Sequence, residues 1–242
     1  IKATNGNQLV TGAGGIVIRG GASGGGLAQG NSADLQLIGG TSIGNQTISV
    51  GSDGILIEGG GGTGSDTDNS AFLSYGGTGS QSITISGGGH LTINGGSSPW
   101  QAIGTGHGSR ASIDAGTAGG ATQSIMLDGG DIVLNGGSNG SRNWAMIYSD
   151  QSGASQTISG AGNIHLKGGP SGGVDTEGNR ATIQTGGSQS ISATNQITLT
   201  GGDGGTENFA EMVLNGTSPV NQTISANRIV MTGGLAGGGP GP

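Results

Sequence analysis

Residues 156–169, with the sequence QTISGAGNIHLKGG, and residues 189–202, with the sequence QSISATNQITLTGG, are two copies of one pattern. Each copy opens on Gln, then Thr or Ser, then Ile, and each ends on Gly-Gly. The opening tripeptide recurs at Gln46, Gln81, Gln123, Gln156, Gln189 and Gln222, with a Gln-Leu-Val variant at Gln8. Consecutive copies begin 33 to 42 residues apart. A fixed pattern at such a period indicates an internal repeat.

A second anchor follows every opening tripeptide, and a third follows every one except that at Gln222, in a fixed order. The second anchor is an alternating apolar run, followed by one residue and then Gly-Gly, and its copies are Ile16–Ile18, Ile55–Ile57, Leu91–Ile93, Ile132–Leu134, Ile164–Leu166, Ile197–Leu199 and Ile229–Met231. The third anchor is Asn-x-Ala, which begins at Asn31, Asn69, Asn143, Asn179 and Asn208, with Ser109 in place of Asn once. The chain therefore consists of about seven repeats.

All three anchors alternate with a period of two, which is typical of short β-strands, and glycine interrupts every candidate helix. Three strands in each repeat, stacked copy on copy, predict an all-β protein with a parallel β-solenoid. We expect one such domain over residues 1–242, with one coil of 33–42 residues per repeat rather than two smaller coils. Seven coils at about 4.8 Å each give a rod roughly 34 Å long.

Polar residues share the inward face of these strands. Gln and Ile point the same way in the first strand, and Asn, Ala and an apolar residue share a face in the third. The sequence therefore predicts two buried columns in which each amide bonds to the amides above and below it. They consist of Gln46, Gln81, Gln123, Gln156, Gln189 and Gln222, and of Asn31, Asn69, Asn143, Asn179 and Asn208. Gly-Gly is expected at a corner that needs unusual backbone dihedral angles.

Composition excludes several classes of protein. Seven Lys and Arg residues against 14 Asp and Glu give no basic surface for nucleic acid. No stretch of the chain is apolar enough to predict a membrane-spanning helix. Cysteine is absent, which excludes disulfides and thiolate metal sites. The 60 glycines suggest a disordered chain, but the net charge of −7 is too small to keep it open.

An open solenoid leaves strand edges at both ends, and the sequence shows no recognisable cap. The chain stops at about the point of the repeat where it begins. Two interpretations follow: it is a section of a longer array, or copies of it stack head to tail into a fibre. We expect self-association along or beside the rod in either case.

Runs such as QTISGAGNIHLKGG resemble the repeat regions of filamentous-haemagglutinin-like bacterial exoproteins, which are exported by two-partner secretion. The resemblance extends from Gln8 to Gly234. It implies a right-handed β-helix and an extracellular or bacterial cell-surface location. It also implies a structural fibre or adhesin shaft in a biofilm matrix or in cell adhesion, with no catalytic residues. The expectation is therefore that this chain is not an enzyme.

The aromatic residues on or beside the third strand form the candidate contact face: Phe72, Tyr75, Trp144, Tyr148 and Phe209. We expect Phe72, Trp144 and Phe209 to point outward, flanked by Arg110, Arg142 and Arg180. Three interpretations stay open: a satellite core beneath folded loops, contact between rods, or glycan binding. The last makes a carbohydrate-binding or polysaccharide-degrading module the alternative function.

No cofactor is predicted, although three acidic pairs could bind Ca²⁺ if their loops stack at one edge. These pairs are Asp66 with Asp68, Asp175 with Glu177, and Asp203 with Glu207, and solvated loops are the favoured explanation for them. His90, His107 and His165 occupy different repeat positions, so they predict no metal site.

The Ser and Thr residues that follow the repeated Gln form a column one row wide, which is too narrow to predict ice binding.

Overall fold

The computed structural model describes residues 1–4, 6–12, 14–22, 30–38, 44–62, 69–99, 108–116, 120–149, 151–173, 178–216 and 219–235. These residues form strands and connecting turns, with no helix among them. The strands are β1 (Lys2–Thr4), β2 (Gln8–Thr11), β3 (Ile16–Arg19), β4 (Ala33–Ile38), β5 (Gln46–Val50), β6 (Ile55–Glu58), β7 (Ala71–Tyr75), β8 (Ser80–Ile85), β9 (Leu91–Asn94), β10 (Ala111–Ala115), β11 (Thr122–Leu127), β12 (Ile132–Asn135), β13 (Ala145–Ser149), β14 (Ser155–Lys167), β15 (Ala181–Thr185), β16 (Ser188–Thr200), β17 (Ala210–Leu214), β18 (Gln222–Ser225) and β19 (Arg228–Thr232).

The strands stack in three parallel columns. Third strands form the seven-stranded sheet β1-β4-β7-β10-β13-β15-β17. First strands stack in the order β2, β5, β8, β11, β14, β16, β18, and second strands in the order β3, β6, β9, β12, β14, β16, β19. The long strands β14 and β16 belong to both columns because each continues through the corner. The structure is a parallel β-solenoid of about six turns, which confirms the predicted fold.

Equivalent residues of successive repeats pair with one another. Gln81 pairs with Gln46 on one side and with Gln123 on the other. Ala111 pairs in the same way with Ala71 and Ala145. The register holds although the repeats differ in length, so the length variation lies in the connections between strands.

The interior is a narrow apolar core in which all three columns meet. Its members are branched aliphatic residues at alternate strand positions, including Ile48, Ile83, Ile125, Ile158 and Ile191 from first strands, Ile57, Ile93, Leu134 and Leu166 from second strands, and Leu73, Ile113, Ile147 and Ile183 from third strands. Burying one such side chain stabilises the fold by about 1.5–3 kcal/mol. A chain with this few apolar residues folds because the inward strand positions concentrate them.

The Gly-Gly corners are required by close packing, and not by the unusual dihedral angles expected from the sequence. None of the glycines in the Gly-Gly pairs that follow the second strands has a positive φ. A Cβ added at Gly137 would lie 2.0 Å from the carbonyl oxygen of Gly96 and 2.5 Å from the Cβ of Asn143. The Gly137 amide also donates to the Asn143 carbonyl oxygen at 2.6 Å. Each such bond closes the base of the loop that joins the second strand to the third, so loop length changes without moving the strands.

Candidate functional site

The glutamine column forms a continuous ladder of side-chain hydrogen bonds inside the coils. Each Nε2 from Gln46 onward donates to the Oε1 of the Gln one repeat earlier, at 2.6 to 2.9 Å, and the ladder joins Gln8, Gln46, Gln81, Gln123, Gln156, Gln189 and Gln222. Several of these amides also donate across the coil to a third-strand carbonyl, as Gln156 does to Gln184 at 3.2 Å. The ladder therefore ties coil to coil and also first strand to third strand. Its interior members are buried, whereas Gln222 is exposed.

The asparagine column stacks in register, but its partners differ from the predicted ones. The Oδ1 of Asn179 accepts the backbone N–H of Asn143 at 2.9 Å, and the Oδ1 of Asn208 accepts that of Asn179 at 2.6 Å. The Nδ2 of Asn179 donates to loop carbonyl oxygens, with Ser171 at 2.8 Å and Gly140 at 3.1 Å. A short amide at a corner lies beside backbone groups and bonds to them first.

The predicted members of this column differ in burial. Asn69, Asn143 and Asn179 are fully buried, and Asn208 is 8% exposed. Asn31 is exposed, and its backbone N–H donates to the Oδ1 of Asn69 at 2.9 Å. Ser109 takes the Asn position in its repeat, where its N–H donates to the Oδ1 of Asn143. The column is thus a side chain-to-backbone ladder that holds each loop base closed.

Tyr75 does not belong to the contact face. It is 1% exposed, and its hydroxyl donates to the carbonyl oxygen of Gly44 at 2.6 Å. In β7 it lies in phase with Ala71 and Leu73, so the same alternation that points those residues inward buries Tyr75. It packs in a second small cluster with Leu37, Ala115 and Ala121, where burial raises the pKa of its hydroxyl.

The other four predicted aromatic residues are half-buried on the outer side of the third-strand column. Trp144 and Phe209 each precede the inward Ala of their repeat, whereas Phe72 follows its Ala and pairs with Ser112. Phe72 therefore lies in the neighbouring row and not in the single stripe that the sequence suggested. Tyr148 lies further along β13.

Rings and guanidinium groups alternate along the axis to form what we call the ring–guanidinium stack. Its members in order are Phe72, Arg110, Trp144, Arg180 and Phe209. The Arg110 Cζ lies 5.4 Å from the centroid of the Phe72 ring and 6.0 Å from that of Trp144. The Arg180 Cζ lies 5.7 Å from the Trp144 ring and 4.5 Å from the Phe209 ring. Such contacts each stabilise by about 0.5–1 kcal/mol at exposed sites.

The stack covers the Trp144 ring from both sides. Arg110 and Arg180 immediately precede β10 and β15, which pair with β13 on opposite sides, so the two guanidinium groups approach the ring from opposite directions. The Trp144 indole N–H donates to the carbonyl oxygen of Gly178 at 2.7 Å. The third predicted arginine, Arg142, lies just before Asn143 with a left-handed φ of 58°.

A groove of about 400 Å³ lies beside the stack, on the outer face of β10, β13, β15 and β17. It contains two partly buried carboxylates, Asp114 and Glu211. Burial raises the pKa of Asp114 to about 6, against the lowering effects of a Ser112 hydroxyl bond and of Arg110. Burial likewise raises the pKa of Glu211, whose carboxylate accepts from the Thr182 hydroxyl at 3.2 Å. Neither acid was predicted, because each is isolated in sequence and only stacking places both in one groove.

The acidic pairs and histidines form no metal centre in the part of the chain that the structure describes. There, no group of three or more His, Cys, Asp and Glu residues converges. Asp203 pairs with Lys167 at 3.0 Å, and Glu207 pairs with Arg180 at 3.7 Å. Trp100, His107, Asp66, Asp68, Asp175 and Glu177 lie outside the described residues.

The two described histidines are separate from each other. The Nδ1 of His90 accepts the backbone N–H of Asp131 at 2.9 Å and lies 4.0 Å from its Oδ2. His165 lies on the second strand, half-buried on its outer side and paired with Val133. Neither arrangement indicates a metal or catalytic role.

The hydroxyl residues of the first strands form three rows, and not the single row counted from the sequence. In β14, Ser155, Thr157 and Ser159 alternate with buried Gln156 and Ile158. The strands above and below repeat this alternation in register. The two further rows were missed because one lies before the repeated Gln and the other lies after the repeated Ile.

Comparison of the chain with protein-family models, with curated proteins and with solved structures gives no match. Among the described residues, no helix is long and apolar enough to cross a membrane.

Proposed function

We propose that this chain is a shaft segment of an extracellular bacterial fibre or adhesin, and that it works by holding its shape rather than by catalysis. The observation that carries the proposal is the unbroken glutamine ladder from Gln8 to Gln222. Every ladder bond and every strand pairing runs along the axis. An interior whose hydrogen bonds run along the axis is suited to a rod that bears load.

The arrangement of the loops supports the same role. The Gly-Gly corners and the asparagine column fix the geometry of each coil. The loops that join second strands to third strands begin and end at these corners, and they vary in length. The insert between Gly96 and Ser109 has 12 residues, and the insert between Gly137 and Asn143 has five. A shaft of this kind displays different loops along one edge without changing its core.

The wide Cα separation of the two groove acids does not favour a glycosidase. Asp114 on β10 and Glu211 on β17 are separated by β13 and β15. Their Cα atoms are therefore about 14 Å or more apart at 4.8 Å per strand. The paired carboxyl groups of glycoside hydrolases stand roughly 5–10 Å apart. A non-enzymatic role is the better match for this spacing.

We further infer that copies of the chain add head to tail. Among the described residues, no strand pairs with the outer edge of the first or last strand of each column. Gln8 and Gln222 end the described ladder, so a second copy that stacks in register would extend it by one bond. Sedimentation of the purified chain at rising concentration checks this inference. Growing filaments one coil wide are expected, and a single 23 kDa species at all concentrations would contradict head-to-tail stacking.

Immunogold microscopy of intact producing cells tests the extracellular shaft directly. An antibody raised against the purified chain is expected to label fibres or the outer surface of unpermeabilised cells. Label that appears only after the cells are opened would overturn the proposed location. Label on the surface without any elongated structure would overturn the shaft role.

The groove beside the ring–guanidinium stack favours a second candidate, a carbohydrate-binding face. Tyr148, Gln184 and Asn215 contribute polar groups beside Trp144 to a concave surface of about 400 Å³. The covered faces of Trp144 argue against sugar stacking on that ring, so polar contacts would have to carry the binding. Glycan-array binding that is lost in Tyr148→Ala and kept in His165→Ala, on another face, would establish this candidate. No binding at any glycan would exclude it.

A further inference from the structure

The outer face of the first-strand column differs chemically from every other face of the rod. Three parallel rows of hydroxyl side chains cross it: Ser80, Thr122, Ser155 and Ser188; Thr47, Ser82, Ser124, Thr157, Ser190 and Thr223; and Thr11, Ser49, Thr84, Ser159, Ser192 and Ser225. All of them are exposed or half-buried. We call this surface the hydroxyl face.

The described part of the hydroxyl face has no charged and no aromatic side chain. The chain has 21 charged residues, yet β2, β5, β8, β11, β18 and the first halves of β14 and β16 contain none. The other two outer faces carry charges, such as Lys167 on the second strand and Arg180 beside the third. Apolar interruptions occur at Leu9 and Met126, which are exposed.

The hydroxyl face is a two-dimensional lattice. Neighbouring strands place equivalent hydroxyls about 4.8 Å apart along the axis, and alternate residues place them about 6.7 Å apart along each strand. Direct pairing of Gln123, Gln156 and Gln189 fixes the first two rows, whereas a register shift after Ile158 offsets Ser159 from Ser192 in the third. The loops whose bases the asparagine column closes join second to third strands, so they do not interrupt the rows. The row of Thr47, Ser82, Ser124, Thr157, Ser190 and Thr223 runs without interruption from β5 to β18.

We propose that the hydroxyl face binds ice. Its two spacings are close to the oxygen repeats on faces of hexagonal ice, so rows of hydroxyls would substitute for water molecules in the surface layer. Rigid backbone bonds and the glutamine ladder hold the hydroxyls in place before binding, which lowers the entropy cost of ordering them. Absence of charge matters because a charged group holds its own hydration shell and disrupts an ice-like layer.

The chemistry of the hydroxyl face disfavours two other classes of binding partner, proteins and sugars. Protein interfaces rely on buried Trp, Tyr and Arg residues and under-represent Ser and Thr, and this face consists almost entirely of Ser and Thr. Sugar recognition on a flat surface relies on aromatic rings, and the described aromatic residues lie on or beside third strands. A regular lattice of uncharged hydroxyls fits a regular lattice of water best. This inference is independent of the proposed shaft function.

Thermal hysteresis, the gap between the melting and freezing points of a seeded ice crystal, tests the proposal. The wild-type chain is expected to show a hysteresis that rises with concentration and to shape the growing crystal. The double variant Thr157→Lys with Ser190→Lys places two cations in the centre of the lattice and is expected to lose at least nine-tenths of the effect. The matched control Thr198→Lys puts the same cation on the second-strand face and should keep it.

A milder variant separates the surface effect from folding. Thr157→Val keeps the shape of the side chain and removes one hydroxyl, so a partial loss of hysteresis is expected with unchanged circular dichroism. Wild-type hysteresis no greater than that of albumin at equal mass would overturn the proposal. Equal loss in the face variant and in Thr198→Lys would also overturn it. Face-dependent binding to crystalline cellulose without hysteresis would assign the lattice to a neutral polysaccharide instead.

Discussion

The glutamine and asparagine columns are both stacks of inward-facing amides, yet they hold different parts of the molecule together. Gln156 lies within a strand, and its amide bonds to the amides of Gln123 and Gln189. Asn179 lies at a corner, and its amide bonds to the backbone of Asn143 and of the loops. The glutamine column therefore joins coil to coil, whereas the asparagine column closes loops. Position along the coil, and not the chemistry of the amide, decides the partner.

The largest effect is expected from crowding the corner that faces the asparagine column. In Gly137→Ala, the new Cβ meets the Gly96 carbonyl oxygen at 2.0 Å and the Cβ of Asn143 at 2.5 Å, so the backbone must shift to accommodate it. We expect a loss of about 4–5 kcal/mol in the free energy of unfolding, measured by denaturant titration. Gly12→Ala is the matched control because nothing lies within 4 Å of its new Cβ. Equal stability of the two variants would contradict the close-packing explanation of the corners.

Removing one asparagine amide is expected to have the next largest effect. Asn179→Leu leaves the Asn143 N–H and the Ser171 carbonyl oxygen without this partner, whereas the Gly140 carbonyl oxygen keeps the bond from the Gly173 N–H. At about 1–3 kcal/mol for each buried polar group left unsatisfied, we expect a loss of roughly 3–5 kcal/mol. Proteolysis should also become faster in the loop after Gly169. A variant that loses stability but keeps this loop protected would show that the column does not close the loops.

Removing one glutamine amide is expected to cost slightly less. Gln156→Leu breaks two ladder bonds and the bond to Gln184, with an expected loss of about 2–4 kcal/mol in thermal or chemical unfolding. Gln222→Leu, at the exposed end of the ladder, should lose less than about 1 kcal/mol. If both variants lose the same free energy of unfolding, burial does not determine how much each glutamine of the ladder contributes to stability.

The ring–guanidinium stack is expected to contribute less than either column. Arg180→Met removes two ring contacts and the ion pair with Glu207, for an expected loss of about 1–2 kcal/mol in the free energy of unfolding. Arg19→Met removes only an exposed ion pair with Glu58 and should change stability by less than about 0.5 kcal/mol. Equal effects would mean that the stack adds nothing beyond a surface ion pair.

A further expected effect is a dependence of stability on pH that comes from Asp114 in the groove. Burial raises the pKa of Asp114 from its usual 3.8 to about 6, so the folded state binds this proton more tightly than the unfolded state. The protonated Asp114 carboxyl group therefore favours the folded state. This stabilisation is fully present below about pH 4 and is lost as the pH rises through 6. Asp114→Asn should therefore be more stable than wild type at pH 7, and the difference should vanish towards pH 4. A constant difference across this range would contradict the raised pKa.

Strand alternation was enough to predict the solenoid and the glutamine column, because period two alone decides which face a residue occupies. The same rule predicts that Tyr75 is buried, because Tyr75 is in phase with Ala71 and Leu73. Grouping it with the other aromatic residues led to the wrong prediction that it belongs to the contact face. The partners of Asn179 depend on where loop carbonyl oxygens lie, which no periodicity encodes. The contact of Trp144 with Arg110 and Arg180 requires knowing which residues become neighbours between coils.

Hydrogen–deuterium exchange of glutamine side-chain amides, followed by nuclear magnetic resonance, tests most directly whether the glutamine column is the buried axial ladder of the rod. The Nε2 protons of Gln81, Gln123 and Gln156 should exchange at least roughly a hundredfold more slowly than those of Gln36, which lies on the outer side of β4. Exchange at the same rate for all four side chains would contradict a continuous buried ladder and, with it, the shaft that depends on it.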